Sequence, residues 1–362
     1  MKSSVIHWAV SEVRDFDFLS EEYRSLFSRS DASPFQSPLW LARLYAELVL
    51  ERAAQPFIIT IRDGLSQRLI GVIPLAIHRH LGISVAVFAD YGVSDYCSIV
   101  ATTEDLKSFR DDDALTSQLR RAFRKCDLLI VRKVRAPALA TFDVLGEVIR
   151  RPLGINAHAT ALGRSFDDWR ERAMPRSLRR SLDKKRRSIG RKGHLKTQII
   201  EDPDLIIAAL HQILEFRRFR FKGHDKRDLL NEERYFRFYC EVARDPMFRA
   251  YVMTLDDRPV SIAYGAAWND RFHLLLTGFD YLNYRNASLG LLVIEDAIKD
   301  CISRGDAEFD LTIGDQPYKR DFGTVETPMW WVLCGFSVVG RALSVLLSHS
   351  PRMLSLARRL VR

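Results

Sequence analysis

The stretch HLLLTGFDYLNYRNASLGLLVIEDAIKDCISRGDAEFDLTIGDQPYKRDFGT, residues 273–324, decides how this chain folds. It opens on an apolar run, 273–277, that reads as a buried strand ending at Gly278. A polar loop leads to the small residues Ala287, Ser288 and Gly290. Beyond them Leu291, Ile294, Ala297, Ile298, Cys301 and Ile302 fall at helical spacing, and Arg304-Gly305 stops the helix. Residues 309–313 then predict a second strand before Gly314. Strand, small-residue loop, helix and strand make a βαβ unit with the loop at a helix N-terminus. Unpaired backbone N–H groups and the helix dipole favour an anion there, a pyrophosphate for example.

The same order recurs along the chain. In the first half a strand (5–10) and two helices (16–28 and 39–52) precede a hairpin, 57–61 with 69–78, turned at Asp63-Gly64. A third apolar run (83–89), a helix (106–124) and a strand (128–131) follow. In the second half three helices (167–189, 203–220 and 232–244) precede a hairpin, 250–255 with 260–267, and then the decisive stretch. Two similar halves in 362 residues predict two domains. They differ where chemistry would sit. The first half reads Asp90-Tyr91-Gly92-Val93-Ser94-Asp95-Tyr96 and runs into a strand-like segment, with no helix N-terminus to cradle an anion.

Composition excludes several classes. With 47% apolar and 28% charged residues the chain is globular rather than disordered. The five cysteines, Cys97, Cys126, Cys240, Cys301 and Cys334, are scattered, with no Cys-x-x-Cys pair. No disulfide framework or zinc spacing is expected, and no metal. The start of the chain has no continuous apolar region like that of a secretion signal, so a cytoplasmic location is expected.

The loop Ala287-Ser288-Leu289-Gly290, the run Asp310-Leu-Thr-Ile-Gly314-Asp315-Gln-Pro-Tyr318-Lys319 and Phe322-Gly323 together resemble the GNAT acyltransferase superfamily. Within it they resemble the CelD/BcsL-type (BioF2-like), FemAB-related acetyltransferases. The loop departs from that family's Ser-Pro-Gly at Leu289, and only Arg285 and Gly290 fit the general Arg/Gln-x-x-Gly-x-Gly/Ala pattern. The resemblance implies an α/β fold of tandem GNAT-like domains, each a mixed central sheet flanked by helices. Residues 1–165 would form a degenerate first domain lending Tyr91–Tyr96 to the acceptor cleft, 166–329 the catalytic domain, and 330–362 a basic amphipathic tail.

For the site, the resemblance implies acyl-CoA, acetyl-CoA above all, held by Thr277, Gly278, Phe279, Arg285, Ser288, Leu289, Gly290 and Leu291. Backbone N–H groups from Thr277 to Phe279 would stabilise the oxyanion. Tyr318 would protonate the leaving thiolate, and Lys319 would orient the donor or bind an acidic acceptor. Asp310 and Asp315 flank the last strand; either is placed to act as base through a water, and either also reads as a strand-end or turn residue. No Ser-His-Asp or Cys-His arrangement is legible, which disfavours covalent catalysis. The expected acceptor is an amine or hydroxyl of a sugar, polysaccharide precursor or other envelope component. The alternatives are a FemX-like transferase taking aminoacyl groups from tRNA, and a non-enzymatic membrane- or nucleic-acid-associated protein of the same fold.

Charge placement adds two surfaces. The net charge is +9, yet residues 170–192 hold eleven Arg or Lys against Glu171 and Asp183. Met174, Leu178 and Leu182, four apart, give that segment one narrow docking stripe. Aromatic residues for base stacking are confined to Trp169 at its edge, which favours phosphates or an anionic membrane over RNA. Residues 330–362 contain five Arg and no acid around an apolar run, and read as a peripheral membrane contact rather than a span.

Overall fold

The structure, a computed structural model, describes residues 8–50, 54–110, 112–221 and 228–349. The chain begins with β1 (Trp8–Val13), α1 (Glu21–Arg29) and α2 (Pro38–Leu44), followed by β2 (Gln55–Asp63), β3 (Leu69–His80), β4 (Ile83–Phe88) and the short β5 (Val100–Ala101). Helices α3 (Thr103–Arg110) and α4 (Asp113–Ala122) lead to β6 (Leu128–Arg135) and the long β7 (Ile149–Ala161). Then come α5 (Phe166–Ala173), α6 (Arg176–Gly190), β8 (Leu195–Ile200), α7 (Pro203–Phe221) and α8 (Glu233–Val242). The remaining elements are β9 (Phe248–Leu255), β10 (Arg258–Trp268), β11 (Arg271–Phe279), α9 (Tyr281–Tyr284), α10 (Leu289–Arg304), β12 (Glu308–Ile313), α11 (Pro317–Arg320), β13 (Val325–Gly335) and α12 (Val338–His349).

Two units result. One holds the residues up to 155 together with those from 328 onward; the other holds 156–327. In the first unit the strands run β1-β2-β3-β4-β6-β13, with β5 beside β3. All neighbours are antiparallel except β4 and β6. In the second the order is β8-β9-β10-β11-β12-β7, antiparallel except β11 and β12. The plan is one six-strand pattern used twice, with its single parallel pair in the same place. In each unit the sixth strand comes from an unexpected stretch of chain. The second unit's is β7, which follows β6 of the first unit, and the first unit's is β13, which comes at the end of the second unit.

The elements deviate from the sequence pattern where local chemistry interrupts a period. The helix expected over 106–124 is two, because Asp112 caps α4 by accepting the Leu115 N–H. The helix expected over 167–189 breaks at Met174, which takes an extended conformation before Pro175. The tight turn between β9 and β10 puts Asp256 and Asp257 at positive φ, as a two-residue hairpin loop requires. The apolar run from Trp330 is not one amphipathic element: it is the buried end of β13 and then α12. The tail beyond residue 349, and the expected strand's first residues 5–7, lie outside the described residues.

Each unit has its own core. In the second, Met174, Leu182 and Ile189 of the basic segment pack with Leu289, Leu292, Val293, Ala297 and Ile298 of α10 and with Phe272 and Leu274 of β11. Of the expected stripe Met174, Leu178 and Leu182, the first and last are buried and Leu178 is half-buried against this core, with Met174 lying just before α6.

Candidate active site

Strands β11 and β12 run parallel for only three paired positions, Arg271 with Glu308, Phe272 with Phe309 and His273 with Asp310. Beyond them β11 continues to Phe279 without a register partner on that side. A bulge opposite Tyr264-Gly265 skips Leu275. On β12 a second bulge falls between Asp310 and Ile313, with Thr312 at φ 59°. A β-branched residue at positive φ is strained, and such strain gathers where a site needs it. The Thr312 hydroxyl donates to the Leu274 carbonyl across the split, at 3.3 Å. Among the described residues no other backbone segment is hydrogen-bonded into this split.

At the mouth of the split, α10 begins. Ser288 precedes it at φ 57° with no side-chain cap, and its carbonyl accepts from the Leu291 and Leu292 N–H groups. The N–H groups of Leu289 and Gly290 come before these first intrahelical bonds, so the helix itself does not satisfy them. A Cβ on Gly290 would meet the Phe279 ring at 3.5 Å, so Phe279 and Gly290 form adjoining walls. Gly278 serves another purpose: a Cβ there would come within 3.0 Å of the Ile213 backbone on α7. The Thr277 carbonyl accepts from Arg217 at 3.3 Å. Arg285 is exposed after α9, its guanidinium 5.8 Å from the Tyr281 ring. The loop expected between β11 and α10 thus contains a short helix.

Helices α5 and α6 together fix the position of α10. The buried Glu295 of α10 accepts from Arg170 at 2.7 Å and from Arg186 at 3.1 Å, and Arg186 also pairs with Asp296. Lys185 donates to the Asn286 carbonyl, tying α6 to the loop itself. The opposite face carries Arg176, Arg180, Lys184, Arg187 and Arg191, all exposed and at helical spacing, none in an ion pair among the described residues.

The end of β12 gathers the titratable groups. Asp310 is buried; its Oδ1 accepts the Thr312 N–H at 2.7 Å and its Oδ2 lies 3.8 Å from His273 Nε2. Lys319 is buried too, its ammonium donating to the Thr312 and Ile313 carbonyls. Both residues brace the bulge from within. Tyr318, half-buried on α11, packs against the second unit's core.

Asp315 is the carboxylate that reaches solvent, with 34% of its side chain exposed. It accepts from His158 Nε2 and Asn156 Nδ2, both at 3.0 Å. Partial burial pulls its carboxyl upward, but these two hydrogen bonds and the imidazole charge outweigh that and hold it below the usual carboxylate value. His158 is fully buried on β7, and its Nδ1 lies 3.3 Å from the Thr324 hydroxyl, which itself donates to the Lys319 carbonyl. Sequence reasoning missed His158, Asn156 and Thr324. The only signal was a weak strand pattern across Ala157, Ala159 and Ala161.

No thiol competes for the chemistry. Burial pushes Cys301 up to about 12 and Cys240 and Cys334 up to about 11, so none is a ready thiolate at neutral pH. Among the described residues no three His, Cys, Asp or Glu cluster as a metal site requires.

Comparison with known proteins bears on the fold. Residues 176–320 match the family model described as an acetyltransferase (GNAT) domain. No curated protein matches the sequence. Among solved structures, FemX superposes with a TM-score of 0.62 at 11% identity, covering 94% of this chain and all of its own. The C-terminal domain of an Agrobacterium fabrum protein assigned as a lysylphosphatidylglycerol synthetase gives 0.58 at 14% identity, covering 90% of this chain and 93% of that one. A protein of unknown function from Bacteroides thetaiotaomicron gives 0.56 at 11% identity, with 91% and 99% covered. The chain therefore has the fold of two GNAT-like units in tandem, and the second carries the matched acetyltransferase (GNAT) domain.

Proposed function

We propose that the second unit is an acyltransferase. It moves an acyl group, acetyl in the simplest case, from acyl-CoA to an amine or hydroxyl of a sugar or envelope precursor. The observation that carries this reading is the open split between β11 and β12 beside the uncapped start of α10. An extended thioester arm fits along the stretch of β11 that has no paired strand on that side, and its pyrophosphate fits the Leu289 and Gly290 N–H groups. Backbone donors near Thr277–Phe279 would meet the oxyanion as the acceptor adds to the carbonyl. As the new C–N or C–O bond forms and the C–S bond breaks, the acceptor's proton leaves to Asp315, kept ionised by His158 and Asn156. Tyr318 supplies the proton for the departing thiolate. Asp310 and Lys319 hold the bulge that aims these groups.

The test is calorimetric titration with CoA, then thiol release from acetyl-CoA over a panel of amino sugars and sugar precursors. Tyr318→Phe should lower turnover about a hundredfold and leave CoA affinity unchanged. A chain that binds no CoA overturns the donor assignment. The outer row on α6 favours a second reading, aminoacyl transfer from tRNA. Five exposed cations from Arg176 to Arg191 line up over about 22 Å, a length suited to successive phosphates. Transfer that requires charged tRNA and ignores acetyl-CoA would establish it.

A further inference from the structure

Helix α12 is built inside out. Its inward face is Gly340, Ser344 and Ser348 with Leu347, and its outward face is Val338, Val339, Val345 and Leu346, exposed by 75, 52, 50 and 48%. Ala342 continues the exposed row, which follows the i, i+4, i+7, i+8 spacing of an apolar helix face. The orientation is firmly fixed. A Cβ on Gly340 would collide with the Asp127 carbonyl, so only glycine lets the helix sit this close. Ser337 caps the helix by accepting the Gly340 N–H at 3.0 Å while donating to Asp127 at 2.6 Å. The Phe336 N–H donates to the Asp127 carbonyl. Small residues thus hold α12 down on its polar side and leave a compact apolar strip facing outward. Isolated exposed apolar residues need no explanation, but a contiguous strip on a rigid helix does.

We infer that α12 is an interfacial anchor that lies flat on an anionic bilayer. Charge favours that occupant. From residue 327 to the end the chain has no acid and five Arg: Arg341 on α12 itself, and Arg352, Arg358, Arg359 and Arg362 in the thirteen residues after it. A protein partner of ordinary surface would not require this one-sided charge, whereas an anionic leaflet attracts each cation held near it. The helix, twelve residues and about 18 Å long, is far shorter than the ~30 Å hydrocarbon core. Among the described residues no helix is long and apolar enough to cross a membrane. An apolar strip beside cations on a short helix is the pattern of a segment that rests at the headgroup level.

The experiment is flotation of the full chain with vesicles of phosphatidylglycerol and phosphatidylcholine in equal parts, against vesicles of phosphatidylcholine alone, at low and high salt. The wild type should float with the mixed vesicles at low salt and bind several-fold less at high salt. Val345→Asp combined with Leu346→Asp should reduce partitioning at least tenfold with an unchanged circular dichroism spectrum, since both positions are exposed. Leu346→Trp should bind more tightly, with its emission shifted to the blue by the vesicles, which a merely structural position would not do. Light scattering after gel filtration tests the other occupants. A dimer that the Asp pair dissociates assigns the strip to a second copy and overturns the anchor. So does a wild type that gains vesicle binding only once residues 350–362 are removed, because the tail then covers the strip. Equal binding by wild type and the Asp pair, or no binding by either, also overturns it.

Discussion

The two units share a strand plan but treat the split in their parallel pair in opposite ways. In the first unit β4 and β6 also stay paired for only three positions, Val85 with Leu128 to Val87 with Ile130. A bulge follows on β6, with Lys133 at φ 58° in the role that Thr312 has on β12. Here the split is plugged. The buried Lys133 ammonium donates to the Ser94 carbonyl at 2.6 Å and lies 3.7 Å from Asp90 and 3.8 Å from Asp95, while the Cys97 N–H donates to the Lys133 carbonyl. The segment Ser94–Cys97 is therefore hydrogen-bonded to β6 beyond its last pair with β4. One position decides between the outcomes. A long cation recruits two carboxylates and a loop to fill the wedge; a threonine hydroxyl reaches only across it.

If that contrast is right, the largest effect belongs to the plug. Lys133→Met would leave Asp90 buried without its cation, and should destabilise the first unit by about 3 to 5 kcal/mol in denaturant unfolding while sparing CoA affinity in the folded fraction. A neutral outcome would mean that the plug is incidental. Copying it into the second unit is the converse. Thr312→Lys should fill the split and weaken CoA binding about a hundredfold, about 2.8 kcal/mol, with the fold monitored by circular dichroism. Undiminished affinity would separate the split from donor binding altogether. Gly290→Val sharpens the picture at the helix end, where the first unit has no counterpart. It should weaken CoA about tenfold, about 1.4 kcal/mol, by obstructing the approach between Phe279 and the α10 start.

The smallest expected effect concerns pH. Asp315 has its folded carboxyl value below the ordinary one, so its pairing stabilises the folded state above that ordinary value, near about 3.9. That contribution is lost as pH falls through the lowered folded value. Wild type should therefore lose stability more steeply below about pH 4 than Asp315→Asn. The difference should stay under about 1 kcal/mol, because a third of the side chain is solvated. Denaturant midpoints on both sides of that pH would check it, and parallel acid limbs would remove the carboxylate's special role.

The legibility of these features follows from how local their causes are. Helix α10 and the flanking β11 and β12 could be read because period, stop and loop all lie within one continuous stretch. Strand β7 could not, since Pro152, Gly154 and three alanines give it poor strand propensity and it is held by β12 across the register. His158 was hidden with it, its partners Asp315 and Thr324 lying more than 150 residues further along the chain. The end of β13 shows no alternation because Trp331, Val332, Leu333 and Cys334 are all buried, so it looked like the start of an apolar tail. Lys133 and Thr312 carry no local sign of positive φ at all; only the bulges reveal it.

The exchange of sixth strands has a consequence for how the chain is made. The first unit's sheet needs β13, whose residues leave the ribosome only after the second unit has been synthesised. Its first five strands must wait through the synthesis of the whole second unit with the edge of β6 open, a pairing of very high contact order and an invitation to aggregation. The second unit, by contrast, has β7 in hand before its own first strand emerges and can close at once. Folding during translation should therefore complete the second unit before the first. A nascent chain released at residue 327 should protect the donor site from protease while leaving the N-terminal half open to cleavage.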